Sequence, residues 1–386
     1  ATRTQWIKFA VVLALYLIFL VWLRSWLGLV VVPFIFDAYI TKKIPWTWWR
    51  ESKNRHVVTV MGWVDAIVFA LVAVYFVNLY FFQNYVIPSS SLEKSLLTGD
   101  YLFVSKMSYG PRVPQTPLHM PLAQHTLPFF NCKSYLEHPQ WDYKRVKGLG
   151  DVQLNDIVVF NFPAGDTVAT GVPNDDIYRL SYGAGKELAK PVDLASMTPE
   201  QQRVVYDYYY QLGREYLKEN PQNFGEIISR PVDRRENYVK RCVGLPGQTL
   251  EIKDRIIYLD GKANKEPDNV QYRYLVKTKR PIPDDLAHEL GISKEDMMMY
   301  YTDASVYNMP LTEKAKAGLL ARKDIVVSIE NTPADDAGGL YPLNMYKNWT
   351  TDNYGPVWIP KKGETVKLTI ENLPVYERPI HVYEGN

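Results

Sequence analysis

The chain has 386 residues, with 44 lysines and arginines against 42 acidic residues and a formal net charge of +2. That balance excludes the strongly basic surface of a nucleic-acid binder, and the length allows two or three ordinary domains or one domain with large insertions. Only two cysteines occur, Cys132 and Cys242, so neither a disulfide framework nor a four-ligand zinc site is available, and no metal or other cofactor is expected.

Residues 9–23, FAVVLALYLIFLVWL, are unbroken apolar, and after Arg24 and Ser25 the run resumes as WLGLVVVPFIF. The first piece alone is slightly short for a hydrocarbon core about 30 Å thick, but the continuation makes the length ample. Residues 1–36 are therefore assigned to a first membrane segment, with Arg24 snorkelling toward one face. No A-x-A site follows, which favours an anchor over a cleavable signal peptide. Residues 37–60 form a linker carrying Lys42, Lys43, Arg50, Lys53 and Arg55 beside the tryptophans of IPWTWW. A second apolar segment, 61–82, reads MGWVDAIVFALVAVYFVNLYFF and keeps Asp65 and Asn78 near its ends. Short basic loops stay cytoplasmic and tryptophan prefers the interface, so the linker is expected inside and everything after residue 82 outside. Neither segment has the Gly/Pro-broken pattern of a transporter.

Residues 83–386 read as mainly β. GDYLFVSK (99–106), NDIVVFNFP (155–163) and NYVKRCV (237–243) are strands bounded by turn signals, and GLPGQ closes the third. TLEIKDRIIYLDGK (249–262) is a hairpin with its turn near residues 253 and 254, and ETVKLTIE (364–371) and RPIHVYEG (378–385) continue the strand pattern. Thr198-Pro199-Glu200 starts a helix running to about residue 219, with Pro221 beyond its end. DDLAHELG, SKEDMMMYY and LTEKAKAGLLARK suggest short helices between 283 and 322, and the proline-dense tract 111–128 reads as an extended loop. The 28 tyrosines and 10 tryptophans fit sheet structure and interfacial anchoring. Whether Cys132 and Cys242 pair is open.

The chemistry concentrates in IPSSSLEKSLLTGDYLFVSKMSYG (87–110), which begins just past the second apolar segment. A serine nucleophile needs a base within hydrogen-bonding reach. No G-x-S-x-G elbow is present, and the histidines at 56, 119, 125, 138, 288 and 381 stand in no triad context. A lysine base is the other route; it must be neutral, so its pKa must fall from about 10.4 by several units through burial. Lys240, mid-strand beside Val239, is placed for this role. The competing reading is that Lys240 and Arg241 are an exposed pair on an edge strand.

IPSSSLEKSLLTGDYLFVSKMSYG resembles the nucleophile box of bacterial type I signal peptidases, P-S-x-S-M-x-P-T-L followed by G-D-x-x-x-V-x-K-x-x-Y-G. NDIVVFNFP resembles their G-D-I-V-V-F-x-x-P, and ENYVKRCVGLPGQTLEI resembles their lysine box, Y-I-K-R-x-V-G-L-P-G-D. The resemblance covers 61–110 and 154–262. It implies two N-terminal transmembrane helices, then a mainly β extracytoplasmic domain of the signal-peptidase Ser/Lys fold, with helical insertions at about 111–150, 164–232 and 270–345. It also implies a multi-pass protein of the bacterial inner membrane, working near the secretion translocon on the signal peptides of preproteins, with the lipid bilayer as the other partner and no nucleic acid. Position by position, Ser91 becomes the nucleophile and Lys240 the general base. The Ser89 hydroxyl and the backbone N–H of Ser91 become the oxyanion donors. Tyr85, Ile87, Tyr238 and Val239 become the lining of pockets that accept small side chains such as Ala, and Ser90 is a bystander.

Departures are specific. Leu92 stands for the usual Met, Lys94 for Pro and Asn155 for Gly. The family's final box, G-D-N-R-x-x-S-x-D-S-R, is absent; NWTTDNYGPVWIP (348–360) is too faint a likeness to map, and the box is expected beyond Asn386. Ser91-Leu92-Glu93-Lys94 also spells the S-x-x-K of penicillin-binding enzymes, but S-D-N is missing and Lys277-Thr278-Lys279 is not K-T-G. The alternative from another class is a non-catalytic, membrane-tethered β scaffold that binds exported proteins.

Overall fold

The computed structural model describes residues 1–386 apart from 93, 128, 131, 298–304, 335–339, 344–348 and 385–386. The first apolar run forms α1, Arg3–Leu23, opened by a capping box in which Thr2 and Gln5 satisfy each other's backbone N–H groups. Its continuation breaks into short turns that include α2, Val32–Phe36. The second run forms α3, Arg55–Tyr80, capped by the Asn54 side chain, which accepts from the His56 N–H. Both α1 and α3 have mean hydropathy 2.4 and are long enough to cross a membrane.

The helix of the second segment extends beyond the apolar run at its start. Because Asn54 caps the helix, α3 starts at Arg55 rather than at residue 61, and Asp65 falls inside it. The carboxylate is matched there by Arg50 at 3.6 Å, and Trp49, 8 % exposed, packs over Gly62. The basic linker therefore folds back along the first turns of α3. Phe82, at the other end, opens a strand.

The described residues form two compact units. One comprises Ala1–Pro88, Gly99–Thr167 and Ser229–Lys240; the other comprises Ser89–Thr98, Val168–Ile228 and Arg241–Asn386. In the first, α1 meets α3 through Phe19, whose ring centroid lies 5.2 Å from both Phe76 and Tyr80. Strands β1, Phe82–Val86, and β2, Tyr101–Ser105, pair antiparallel, with Phe82 opposite Ser105 and Val86 opposite Tyr101. The two-residue period turns Gln83, Tyr85 and the following Ile87 inward. Short strands β3, Arg112–Val113, and β4, Lys144–Arg145, pair within the 111–150 tract. Strand β5, Ile157–Asn161, is hydrogen-bonded to β8, Asn237–Arg241; β6, Thr167–Ala169, and β7, Ile227–Ser229, pair with each other and belong mostly to the second unit.

The second unit holds a four-stranded antiparallel sheet in the order β11-β10-β9-β15: Lys262–Ala263, Ile256–Leu259, Thr249–Lys253 and Tyr354–Trp358. The β9–β10 turn falls at Asp254 and Arg255, both at positive φ, as a tight primed hairpin turn requires. A second antiparallel sheet, β13-β12-β14, uses Val306–Thr312, Gln271–Thr278 and Val326–Asn331. Tyr274 and Val276 of β12 and Tyr307, Met309 and Leu311 of β13 alternate inward against α7, Asp284–Glu289, and α8, Glu313–Ala321. A helical hairpin of α4, Ile177–Leu188, and α5, Pro199–Glu219, buries Ile177 and Leu217 with Ala169; α6, Pro221–Phe224, is a single turn after it.

Two strand expectations fail. Residues 364–371 make no ladder among the described residues, and Leu368 is 46 % exposed; alternation alone does not make a strand without a partner. Residues 378–385 are helical where described: α9, Leu373–Pro379, continues as a π turn over Ile380–Glu384. Pro374 sits in its first turn, where a missing N–H costs nothing. The helix is then held by Glu377 to Arg203 at 2.5 Å and by Arg378 stacked 3.5 Å over the Tyr178 ring. The expected SKEDMMMYY helix lies partly outside the described residues; 294–297 is a turn.

Candidate active site

The loop between β1 and β2 is closed at its base: Ile87 N–H donates to Asp100 O at 3.0 Å and Gly99 N–H to Ile87 O at 2.9 Å. Ser90–Leu92 forms a 3-10 turn whose Leu92 side chain is 8 % exposed. Ser89 and Ser91 are exposed, with their hydroxyl oxygens 3.4 Å apart. Lys94 takes φ +69°, a value that a proline ring forbids. Its ammonium donates to Gly291 O at 2.5 Å. Arg241, the residue after Lys240, donates to Ser95 Oγ at 2.9 Å. No sequence signal pointed to that bond, which joins residues 146 positions apart.

Lys240, Tyr238 and Val239 lie on β8. Tyr238 stacks on Phe162 with ring centroids 4.4 Å apart and planes 9° from parallel. Val239 is half-buried, Lys240 is exposed, Ile87 is 2 % exposed, and Tyr85 is half-buried beside a cavity on α3. Burial inside its own unit therefore does not desolvate Lys240. Ser89 and Ser91 belong to one unit and Tyr85, Ile87, Tyr238, Val239 and Lys240 to the other. Cys132 and Cys242 are both free thiols.

The boxes are stitched together by groups that sequence inspection passed over. Gly110 sits at φ +86° against the 146–148 backbone, where a Cβ would lie 1.8 Å from Val146 O; only glycine fits this close approach. The preceding Tyr109 donates its hydroxyl to Asp156 Oδ2 at 2.6 Å. Asn155, standing for the family's Gly, is at φ +69°, the left-handed region that Asn tolerates best after Gly. The Tyr109 hydroxyl, then the Gln153 amide, hold the Asp156 carboxyl below its ordinary 3.8, against burial. A carboxyl depressed on folding stabilises the fold above its unfolded pKa, and that contribution fades as pH falls from about 3.8 through the lower folded value. Tyr109→Phe is expected to move the Asp156 midpoint up toward 3.8 in a carboxyl NMR titration; an unchanged midpoint would refute the assignment.

Just before β8, PVDRREN supplies a clamp. Asp233 Oδ2 accepts from the N–H of Gln115 at 3.0 Å, the N–H of Thr116 at 2.9 Å and the Thr116 hydroxyl at 3.0 Å. Arg234, 4 % exposed, donates to Thr116 Oγ1 and O and to Gln124 O. The stem of the lysine strand thus fastens the 111–150 tract. Asp233→Ala leaves buried donors unmet and the guanidinium uncompensated, and is expected to cost roughly 3 kcal/mol. Protease sensitivity within 114–124 is the readout, and resistance equal to wild type would count against the clamp.

Residues 60–289, well over half of the chain, match the family described as "Signal peptidase, peptidase S26". The chain is 20 % identical over 279 residues to signal peptidase I P of Bacillus subtilis subsp. natto, covering 72 % of this chain and 90 % of that one. It is 42 % identical over 56 residues to signal peptidase I of Helicobacter pylori, 14 % of this chain and 18 % of that one. It is 30 % identical over 93 residues to signal peptidase I of Bacillus amyloliquefaciens, 23 % of this chain and 47 % of that one. The match thus spans less than half the length of two of these three relatives. No solved structure matches the chain. The chain belongs to the signal peptidase, peptidase S26, family.

Proposed function

We propose that this chain is a membrane-anchored serine endopeptidase that removes N-terminal signal peptides from exported preproteins, with Ser91 as nucleophile and Lys240 as general base. The observation that carries the reading is the family match over 60–289, which contains both boxes. The Arg241–Ser95 hydrogen bond supports it by tying the residue after Lys240 to the segment that bears Ser91. Neutral Lys240 takes the Ser91 hydroxyl proton as Oγ attacks the scissile carbonyl, and passes it to the departing amine. The Ser89 hydroxyl and Ser91 N–H stabilise the oxyanion. Water activated by the same lysine then releases the acyl group.

Because Lys240 is exposed in the free chain, its desolvation falls to the bound peptide strand and the bilayer surface. Ile87, Tyr85, Tyr238 and Val239 would accept small side chains, giving A-x-A specificity. The two apolar helices would hold this machinery at the outer face of a bacterial inner membrane, beside the translocon, where a signal peptide's apolar core stays in the bilayer. The test is release of a signal peptide from a preprotein by the chain in detergent micelles, with Ser91→Ala and Lys240→Ala as partners. Binding without cutting, or undiminished cutting by either variant, would sink it.

A further inference from the structure

Two cavities lie side by side along the second half of α3 and share Tyr75 and His119 in their walls. One, of about 510 Å³, is walled by Leu71 and Val72 of α3 and by Leu118, Met120 and Leu136 of the loop tract. Those three loop side chains are 51 %, 56 % and 60 % exposed, and such an apolar cluster on a loop marks an interaction surface. The other, of about 600 Å³, reaches Asn78 and Leu79 of α3 and holds Lys106, Arg112 and Asp233. Leu71 and Asn78 are roughly 10 Å apart along the helix axis. Polarity therefore changes along α3 in the order of a bilayer leaflet, from hydrocarbon to headgroup.

The polar cavity gathers three cations, Lys106, Arg112 and Arg234, against two carboxylates, Asp233 and Glu236, and the Asp233 carboxylate offsets part of the Arg112 charge. Lys106 and Arg112 are half-buried and neither forms an ion pair among the described residues. Burial, then the guanidinium groups of Arg112 and Arg145, push the Lys106 ammonium down to about 8. The acids in the walls are already engaged: Glu236 faces His125 at 2.8 Å and Arg230 at 3.5 Å, and Asp233 Oδ2 holds the loop. Asp233 Oδ1, on a side chain 7 % exposed, is buried without a hydrogen-bond partner among the described residues. A buried acceptor in that state calls for a donor.

We propose that the two cavities together seat one glycerophospholipid. Its phosphate lies between Lys106 and Arg112, a headgroup ammonium or hydroxyl donates to Asp233 Oδ1, and an acyl chain runs past Met120 and Leu136 along α3. This rests on reading α3 as a membrane span, and it adds a lipid ligand to a peptide-cleaving site.

The test is native mass spectrometry of the full chain in nonionic micelles with dioleoyl phosphatidylethanolamine. Wild type is expected to retain one lipid. Lys106→Gln with Arg112→Gln should lower retention about tenfold or more, since removing even one charge-assisted hydrogen bond has an effect of that size. Met120→Ser with Leu136→Ser, at exposed positions that leave the fold intact, should lower it several-fold, while Lys190→Gln leaves it unchanged. Wild-type retention by both double variants, or equal retention of dioleoylglycerol, which lacks the phosphate, overturns the proposal. Displacement by millimolar inorganic phosphate would mark a simple anion site, and displacement by a signal peptide would mark a peptide subsite; either overturns it. Carbonate washing of membranes checks the span separately: release of the wild-type chain overturns the premise, whereas retention of every variant isolates the lipid contacts.

Discussion

Ser91→Ala is expected to lower signal-peptide release by a factor of roughly 10⁴ or more, and Lys240→Ala by a similar factor. Removing either member of a nucleophile–base pair leaves only the binding and oxyanion contributions, so the double variant should lose little beyond the worse single one. Lys240→Arg is the more discriminating change. A guanidinium keeps the charge and much of the reach but stays protonated, so it cannot accept the Ser91 proton. An arginine variant with wild-type turnover would show that position 240 supplies charge rather than a base. Ser89→Ala should fall short of both, by about 10²–10³ in turnover, because the Ser91 N–H still faces the oxyanion. The measurement is single-turnover cleavage of one preprotein across the five variants in micelles.

The second large effect concerns the helical hairpin. α4 and α5 cross at Gly185 and Gly213: a Cβ on Gly185 would lie 1.7 Å from Tyr209 O, and one on Gly213 1.7 Å from Ser181 O. Both approaches are to backbone, so no rotamer relieves them. Gly185→Val or Gly213→Val must push the helices apart and open the core around Ile177 and Leu217, 1 % and 0 % exposed. The expected loss is about 3 kcal/mol or more, read as proteolytic cutting between the helices at 190–197. Gly183, on the same helix, has nothing within 4 Å of its would-be Cβ. Gly183→Ala should therefore stabilise by about 0.5–1 kcal/mol through helix propensity alone. Equal behaviour of the 183 and 185 variants would refute the close crossing.

The same glycines explain what the sequence hides. IYRLSYGAGKEL carries two residues that read as helix breakers, so α4 is not legible locally; it exists because the glycines let α5 approach. α5 is plain, since Thr198, Pro199 and Gln201 spell its start. QYRYLVKT and VYNMPLT alternate correctly as strands, but neighbouring helical signals draw the whole 270–345 tract toward helix. The boxes around β1, β2, β5 and β8 are legible because turn residues frame short alternating runs. At the site, the positions of Ser89 and Ser91 follow from motif alone. The exposure of Lys240 and the Arg241–Ser95 bond do not, because both depend on the approach of residues more than a hundred positions apart. The cavities on α3 are equally hidden, as Lys106 and Arg112 look like ordinary surface charges until the cavity that holds them is seen.

The 111–150 tract also touches the first helix: Trp22 Nε1 donates to Lys147 O at 3.2 Å, and Lys144 Nζ to Arg24 O at 2.7 Å. Its later fastenings include those to Asp233, Arg234 and Glu236. A chain made from its N-terminus onward has α1 and α3 in place long before residue 233 emerges. The tract cannot lock until then, since closure over such sequence distances is slow and has no local substitute. Through that interval the exposed side chains of Leu118, Met120 and Leu136 belong to a tract that is not yet fastened. Assembly order is thus written into the 111–150 tract and its partners: helices first, the loop tract next and loosely, the stem of the lysine strand last, as the fastening that completes it.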